Sequence, residues 1–156
     1  MTEPKRKRIR LDAEVYRTEG RTFSVTVRTL FREPVFEDQE FGLDCVRILR
    51  DLRSESESSI YAYCLMPDHF HLLIGLGRAM ALPDLVGRYK SLCYHARCHR
   101  NNKNRFWQRG YFDHAIRQME DLRAAARYIL LNPVRKGLVE HYRQYPLCGS
   151  LEWDLE

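Results

Sequence analysis

The sequence predicts an α+β protein: a ferredoxin-like, RRM-like split βαβ core with a four-stranded antiparallel sheet, helices on one face, and a C-terminal helix that carries a tyrosine. Three observations carry that expectation. Strand-like alternation and helical spacing succeed each other in the order β-α-β-β-α-β from residue 21 to residue 118. The two middle strands are separated only by Pro67-Asp68, a tight-turn pair that makes them a hairpin. A last alanine-rich amphipathic stretch, Asp121 to Leu131, follows the fourth strand.

In Arg21 to Leu30, Phe23, Val25 and Val27 alternate with Thr22, Ser24, Thr26 and Arg28, the pattern of a half-buried strand. From Asp38 to Arg53 the spacing becomes helical, and Phe41, Cys45, Ile48, Leu49 and Leu52 form an apolar stripe. Asp38 and Glu40 near its start, and Arg50 and Arg53 near its end, suit the helix dipole. After the polar break Ser54 to Ser59, Ile60 to Met66 and His69 to Gly75 form the hairpin strands. Helical spacing returns from Leu82 to Arg100, with Leu85, Tyr89, Leu92, Cys93 and Ala96 inward and Pro83 in the first turn. A polar linker, Asn101 to Asn104, leads to a fourth strand over Phe106 to Gln118. The last helix is expected to end at Asn132-Pro133, and short turns with the anchors Tyr142, Tyr145 and Trp153 follow. The expected organisation is a basic arm over 1–20, one domain over 21–147 and a tail over 148–156.

The composition, 44% hydrophobic and 30% charged over 156 residues, is that of a globular chain able to bury a core. No apolar run approaches the ~20 residues of a membrane span, and no apolar segment follows the basic N-terminus as in a secretory signal. The five scattered cysteines form no Cys-x-x-Cys pair, which points to reduced thiols and a cytoplasmic location rather than a disulfide framework or zinc site. No Gly-rich phosphate loop is present. The net charge is only +5, but its placement is uneven. Arg88, Lys90, Arg97, Arg100, Lys103, Arg105 and Arg109 fall in an acid-free block interleaved with Tyr89, Tyr94, Phe106 and Trp107, and a second cluster runs from Lys5 to Arg10. Cations neutralise phosphates and aromatic faces stack on unpaired bases, so the expected partner is nucleic acid. Phe106 and Trp107 fit core anchors and stacking platforms equally.

The chemistry centres on His69 and His71. At positions i and i+2 of a strand they project from one face, as a ready pair of metal ligands. On the last helix Tyr128 and Asn132 are i and i+4, one turn apart, with the small residues Ala124 and Ala125 nearby and Leu122, Ala126 and Ile129 towards the core. A phenol is almost wholly protonated at neutral pH and attacks phosphorus poorly unless a divalent ion polarises the phosphate. Asn132 can add an amide oxygen to the two imidazoles. Mg²⁺ or Mn²⁺ is the expected ion, although two imidazoles favour softer metals on affinity alone. His114, beside Asp113, has structural hydrogen bonding as its default, and His95 and His99 join the cationic face.

Three stretches then carry a family resemblance. Tyr61-Ala-Tyr-Cys-Leu-Met-Pro-Asp-His-Phe-His-Leu-Leu-Ile74, Phe106-Trp-Gln-Arg-Gly-Tyr-Phe-Asp-His114 and Arg127-Tyr-Ile-Leu-Leu-Asn-Pro-Val-Arg-Lys-Gly-Leu-Val139 resemble the single-tyrosine HUH (IS200-like) transposases, and more narrowly their REP-associated branch. The likeness runs from about residue 20 to residue 147, with the motifs in the expected order. It implies a metal-dependent single-stranded DNA endonuclease and strand transferase in the bacterial cytoplasm, at the nucleoid, acting on hairpins formed by palindromic repeats. By that resemblance Tyr128 attacks a DNA phosphate to give a 5′-phosphotyrosine, His69, His71 and Asn132 bind the metal, and the working unit is a monomer or a homodimer. The alternative is a catalytically silent module that binds hairpin DNA without cutting it.

Overall fold

Alternation along β1 (Thr22–Arg28) buries Phe23, Val25 and Val27 and leaves the residues between them half-exposed. The computed structural model describes residues 13–155, so the basic run from Lys5 to Arg10 lies outside the described residues. Beyond β1 come α1 (Gln39–Ser56), β2 (Ser59–Met66), β3 (His69–Gly75), α2 (Leu82–His99), β4 (Phe112–Ile116), α3 (Met119–Leu130), α4 (Asn132–Arg135) and β5 (Cys148–Gly149). Asp38 caps α1 by accepting from the Phe41 amide, and Pro83 starts α2.

The strands lie in the order β4-β1-β3-β2-β5 and every pairing is antiparallel. The first four give the expected split βαβ arrangement. The sheet has five strands rather than four, because Cys148 and Gly149 pair with Cys64 and Tyr63. Two residues are too few to show a strand period in sequence.

Helices cover both faces. Phe23, Val25, Val27, Leu65, Phe70, Leu72 and Ile74 pack with Phe41, Leu49, Leu85 and Tyr89 of α1 and α2. On the opposite face Ala62, Cys64, Met66 and Leu73 lie under Leu122, Ala126, Ile129 and Leu130 of α3. A register shift between Ile60 and Ala62 makes this division possible. The extra residue, Tyr61, transfers the rest of β2 to the opposite alternation, so Ala62 and Cys64 turn towards α3 while Ile60 stays with α1 and α2.

Two element boundaries differ from expectation. Regular pairing in the fourth strand covers only Phe112–Ile116, not Phe106 to Gln118. Phe106 and Trp107 are both buried, so they cannot alternate, and Trp107 makes a single bridge to Thr29. Gly110, at φ 73°, turns the chain before β4 begins. The last helix starts at Met119, and Asn132-Pro133 opens α4 instead of ending all helix. Proline has no N–H to offer the Ile129 carbonyl, so the ladder breaks, while its fixed φ suits a new first turn.

The ends of the described chain are tied to this frame. Tyr16 is buried and stacked on Phe23 at 5.6 Å. Glu152 accepts from Nε of Arg53 at 2.6 Å, from its Nη2 at 3.0 Å and from the Ile60 amide at 3.0 Å. The Arg53 hydrogen bond holds the Glu152 carboxyl below the usual carboxylate range. Among the described residues no helix is long and apolar enough to cross a membrane.

Two glycines give opposite expectations. A methyl group on Gly77 collides with the backbone carbonyls of Glu57 and Ser56, whereas Gly87, inside α2, has nothing within 4 Å of that position. Urea denaturation should show Gly77→Ala losing about 2 kcal/mol or more to overpacking, and Gly87→Ala gaining about 0.5–1 kcal/mol from helix propensity.

Candidate active site

The tip of the β2–β3 hairpin is fastened to the end of β1. The amide of Thr29 donates to the Asp68 carbonyl at 3.0 Å, and its hydroxyl oxygen lies 2.9 Å from the same carbonyl oxygen. This fixes a register in which His69 faces Arg28 and Met66, and His71 faces Thr26 and Cys64. Directly paired residues share a face. Both histidines therefore stand on the α3 side of the sheet, beside Cys64, Met66 and Leu73. Their rings are 4.7 Å apart at 87°.

Each imidazole is oriented by an oxygen on its Nδ1. Oδ1 of Asp68 lies 2.6 Å from Nδ1 of His69, and Oγ1 of Thr26 lies 3.1 Å from Nδ1 of His71. Asp68 is itself held by Nε of Arg32 at 3.3 Å. Burial alone would raise the Asp68 carboxyl, but the His69 hydrogen bond and the charges of His69 and Arg32 keep it below its ordinary value. Burial lowers His69, with Arg32 and Arg28 adding to that against the pull of Asp68. His71 is lowered to about 3 by burial, then by His69, Arg135 and Arg28. Both rings are thus neutral at physiological pH, the form that ligates metals.

Across from them, α3 and α4 supply the remaining groups. Asn132 is only 4% exposed, with Nδ2 3.4 Å from Nε2 of His69. Tyr128 is 59% exposed, and its ring stands 6.3 Å from that of His71 at 83°. Arg135 connects the two. Its guanidinium lies 3.9 Å from the centre of the Tyr128 ring, and Nη2 donates to the Tyr128 carbonyl at 2.8 Å and to Oδ1 of Asn132 at 3.5 Å. The fold brings His69, His71, Tyr128 and Asn132 together on one face within one chain.

The donor set fits a divalent ion. With Nδ1 of each ring held by oxygen, Nε2 is the nitrogen left to ligate, and a ligand histidine held in this way is a recurrent arrangement. A half-turn of the Asn132 carboxamide exchanges Nδ2 for Oδ1 beside His69. The third member is an amide, and among the described residues no cluster of three His, Cys, Asp or Glu forms.

The predicted basic block lies elsewhere. It belongs to α2 and the loop after it, on the α1 side of the sheet. Arg88 pairs with Glu55 at 3.0 Å, and Arg100 with Asp44 at 2.8 Å and Glu40 at 3.4 Å. Arg97 reaches Glu33 at 3.4 Å and stacks over Phe106. Lys90 donates to the carbonyls of Gln108 and Gly110. Lys103, Arg105 and Arg109 are exposed. Trp107 is buried against Phe36, Phe106 and Tyr89, the core-anchor alternative. His95 and His99 are exposed on α2, and His114 is exposed on β4 opposite Ser24.

Residues 19–132 match the family model described as transposase IS200 like. The chain belongs to the IS200-like transposase family. Over 102 residues it is 33% identical to a protein of Haemophilus influenzae provisionally named a REP-associated tyrosine transposase, covering 54% of this chain and 54% of that protein. Over 101 residues it is 28% identical to the REP-associated tyrosine transposase of Escherichia coli K12, covering 65% of this chain and 57% of that protein. The chain thus spans little more than half the length of these curated relatives. A solved structure of a REP-associated tyrosine transposase bound to a REP hairpin matches with a TM-score of 0.70 at 23% identity, over 100% of this chain and 93% of that one. A provisionally assigned transposase of Deinococcus radiodurans R1 matches with a TM-score of 0.52 at 21% identity, over 80% and 92%. Both share the fold.

In this member of the IS200-like transposase family, sequence reading missed three residues of the site. Thr26 is remote in the chain and reaches His71 only through strand register. Asp68 was expected to serve the turn; it does, and it also holds His69. Arg135 follows Asn132 by three residues, so a single helical turn was the available signal. Two outcomes are expected. Calorimetric titration should show Thr26→Val and Asp68→Ala each losing about 10- to 100-fold in Mn²⁺ affinity, as for other groups that orient ligand histidines. A histidine-resolved NMR titration should find the His71 ring neutral at pH 5. Because the folded ring resists protonation and the unfolded one does not, its contribution to stability is full above about pH 6.5 and is lost progressively down to about pH 3.

Proposed function

We propose that the protein is a metal-dependent nicking and strand-transfer enzyme for single-stranded DNA, acting at hairpin or palindromic repeats through a 5′-phosphotyrosine at Tyr128. One observation carries this reading: an exposed phenol ring 6.3 Å from His71, on the face that also holds His69 and Asn132. The hairpin bound by the structurally similar transposase supports the choice of substrate.

His69, His71 and Asn132 would hold Mg²⁺ or Mn²⁺, which would supply polarisation of the scissile phosphate and offset its developing charge. The Tyr128 oxygen bonds to phosphorus as the bond to the 3′ oxygen breaks. The phenolic proton passes to solvent, which reaches this half-exposed side chain, and the 3′ oxygen leaves as a hydroxyl after taking up a proton. One phosphodiester replaces another, so a later attack by a 3′-hydroxyl can expel Tyr128 and rejoin DNA without a nucleotide cofactor. Arg135, stacked on the phenol and bonded towards Asn132, adds a fixed positive charge where the phosphate must lie. The Asp68 carboxylate, which can only accept, keeps the His69 proton on Nδ1 and leaves Nε2 free to ligate, while Thr26 orients the His71 ring. All of these groups come from one chain, which supports a monomer as the working unit. In the predicted block, Lys103, Arg105 and Arg109 are the exposed cations we assign to phosphates of the hairpin stem.

The test is a labelled hairpin oligonucleotide with a single-stranded flank, offered with Mg²⁺ or Mn²⁺. A denaturation-resistant protein–DNA adduct should form, and mass spectrometry should map it to Tyr128. Tyr128→Phe should bind the hairpin within about twofold of the parent, yet nick it more than about a thousandfold more slowly, and chelation should stop cleavage by the parent. Binding without nicking in either ion would favour the silent hairpin-binding module instead.

A further inference from the structure

Immediately beyond β1 the chain makes a short turn at Leu30–Arg32 whose backbone is unusual. Phe31 lies at φ 52°, ψ 25°, and Arg32 follows at φ 58°. A left-handed conformation is unfavourable for any L-residue with a Cβ, and here two occur in succession without a glycine. The turn is held from every side. The Leu30 amide donates to the Phe106 carbonyl at 2.7 Å, the Glu33 amide to the Leu30 carbonyl at 3.0 Å, and the Thr29 hydroxyl to the Glu33 carbonyl at 2.8 Å. The Arg32 side chain is drawn to Asp68.

This bonding leaves Phe31 70% exposed, the most exposed of the large apolar side chains among the described residues. Burial does not account for a phenylalanine there, and backbone preference argues against one. Strain held in place by surrounding bonds is characteristic of functional sites. The position supplies the function. Arg28, three residues earlier, is the register partner of His69, and Arg32 shares the Asp68 carboxylate with His69. Phe31 therefore lies in the turn at the end of the sheet where the histidine pair lies, close in the chain to Arg28, whose guanidinium sits over the Phe112 ring, and next to Arg32, which holds Asp68. An open aromatic face beside a cation-bearing site is the chemistry that receives an unpaired base and its neighbouring phosphates.

We propose that Phe31 is a stacking platform for one unpaired base of the single-stranded DNA next to the scissile phosphate. The assignment rests on the reading of the site as a DNA-nicking centre, and adds to it a base subsite outside the metal ligands and the nucleophile.

The experiment uses the full chain carrying Tyr128→Phe, so that DNA binds without being cut, and an oligonucleotide that the parent protein nicks, with 2-aminopurine moved one position at a time through the single-stranded flank. One position should show a fluorescence change on binding. Phe31→Trp should keep that change; Phe31→Leu, which stays apolar but cannot stack, should abolish it and weaken binding about 5- to 150-fold. Phe31→Gly should weaken binding equally while raising the melting temperature by about 2–4 °C, because it relieves the left-handed turn. Stability and affinity then move in opposite directions, which a purely structural residue would not produce. Parent-like binding and fluorescence in Phe31→Leu, alongside normal nicking by the Tyr128 protein, overturns the base subsite alone. A loss of self-association in Phe31→Leu by sedimentation, with DNA binding intact, makes the ring a protein contact and overturns it as well. Failure of the Tyr128 protein to bind or nick any single-stranded DNA removes the enzyme reading, and the subsite with it.

Discussion

Strand β3 is held on both edges and packed on both faces, and the site depends on that confinement. β1 and β2 bond its two sides, Phe70, Leu72 and Ile74 fill the α1–α2 core, and Leu73 lies under α3. Only the first two outward positions on the α3 face remain for polar groups, and His69 and His71 occupy them. A slip of one residue would drive both imidazoles into the core and turn Phe70 and Leu72 out. The register that keeps the sheet apolar within is the same register that presents two adjacent imidazoles on one face.

The second half of the site is seated by similar means. Leu122, Ala126, Ile129 and Leu130 place α3 on β2 and β3 as an apolar footing, and this aims Tyr128 along the sheet surface near His71. Neutral, partly buried imidazoles and a buried amide make a polar floor with little charge of its own. The fixed positive charge comes from Arg135, Arg28 and Arg32 around it. Such an arrangement suits an anionic substrate approached by a cation-bearing rim.

Much of this was legible in the residues. Alternation in β1 and helical spacing in α1 and α2 placed those elements closely, and the His-x-His spacing put both rings on one face. What stayed hidden depends on partners distant in the chain. The ion pairs of the α2 cations stayed hidden because their partners, Glu33, Glu40, Asp44 and Glu55, lie in α1 and the loop before it. Thr26 looked like one more outward strand threonine until register set it against His71. The extent of β4 was overestimated because aromatic residues favour strands in sequence, whereas Phe106 and Trp107 are both buried ahead of the paired segment. The split between α3 and α4 required weighing the proline as a starting residue as well as a stopping one.

Leu131 divides Asn132, turned inward, from Tyr128, turned outward. A phenol carried on the outer wall of a helix needs no tunnel. A polymer of any length can lie sideways across such a surface and meet it at an interior bond, with no end to be threaded.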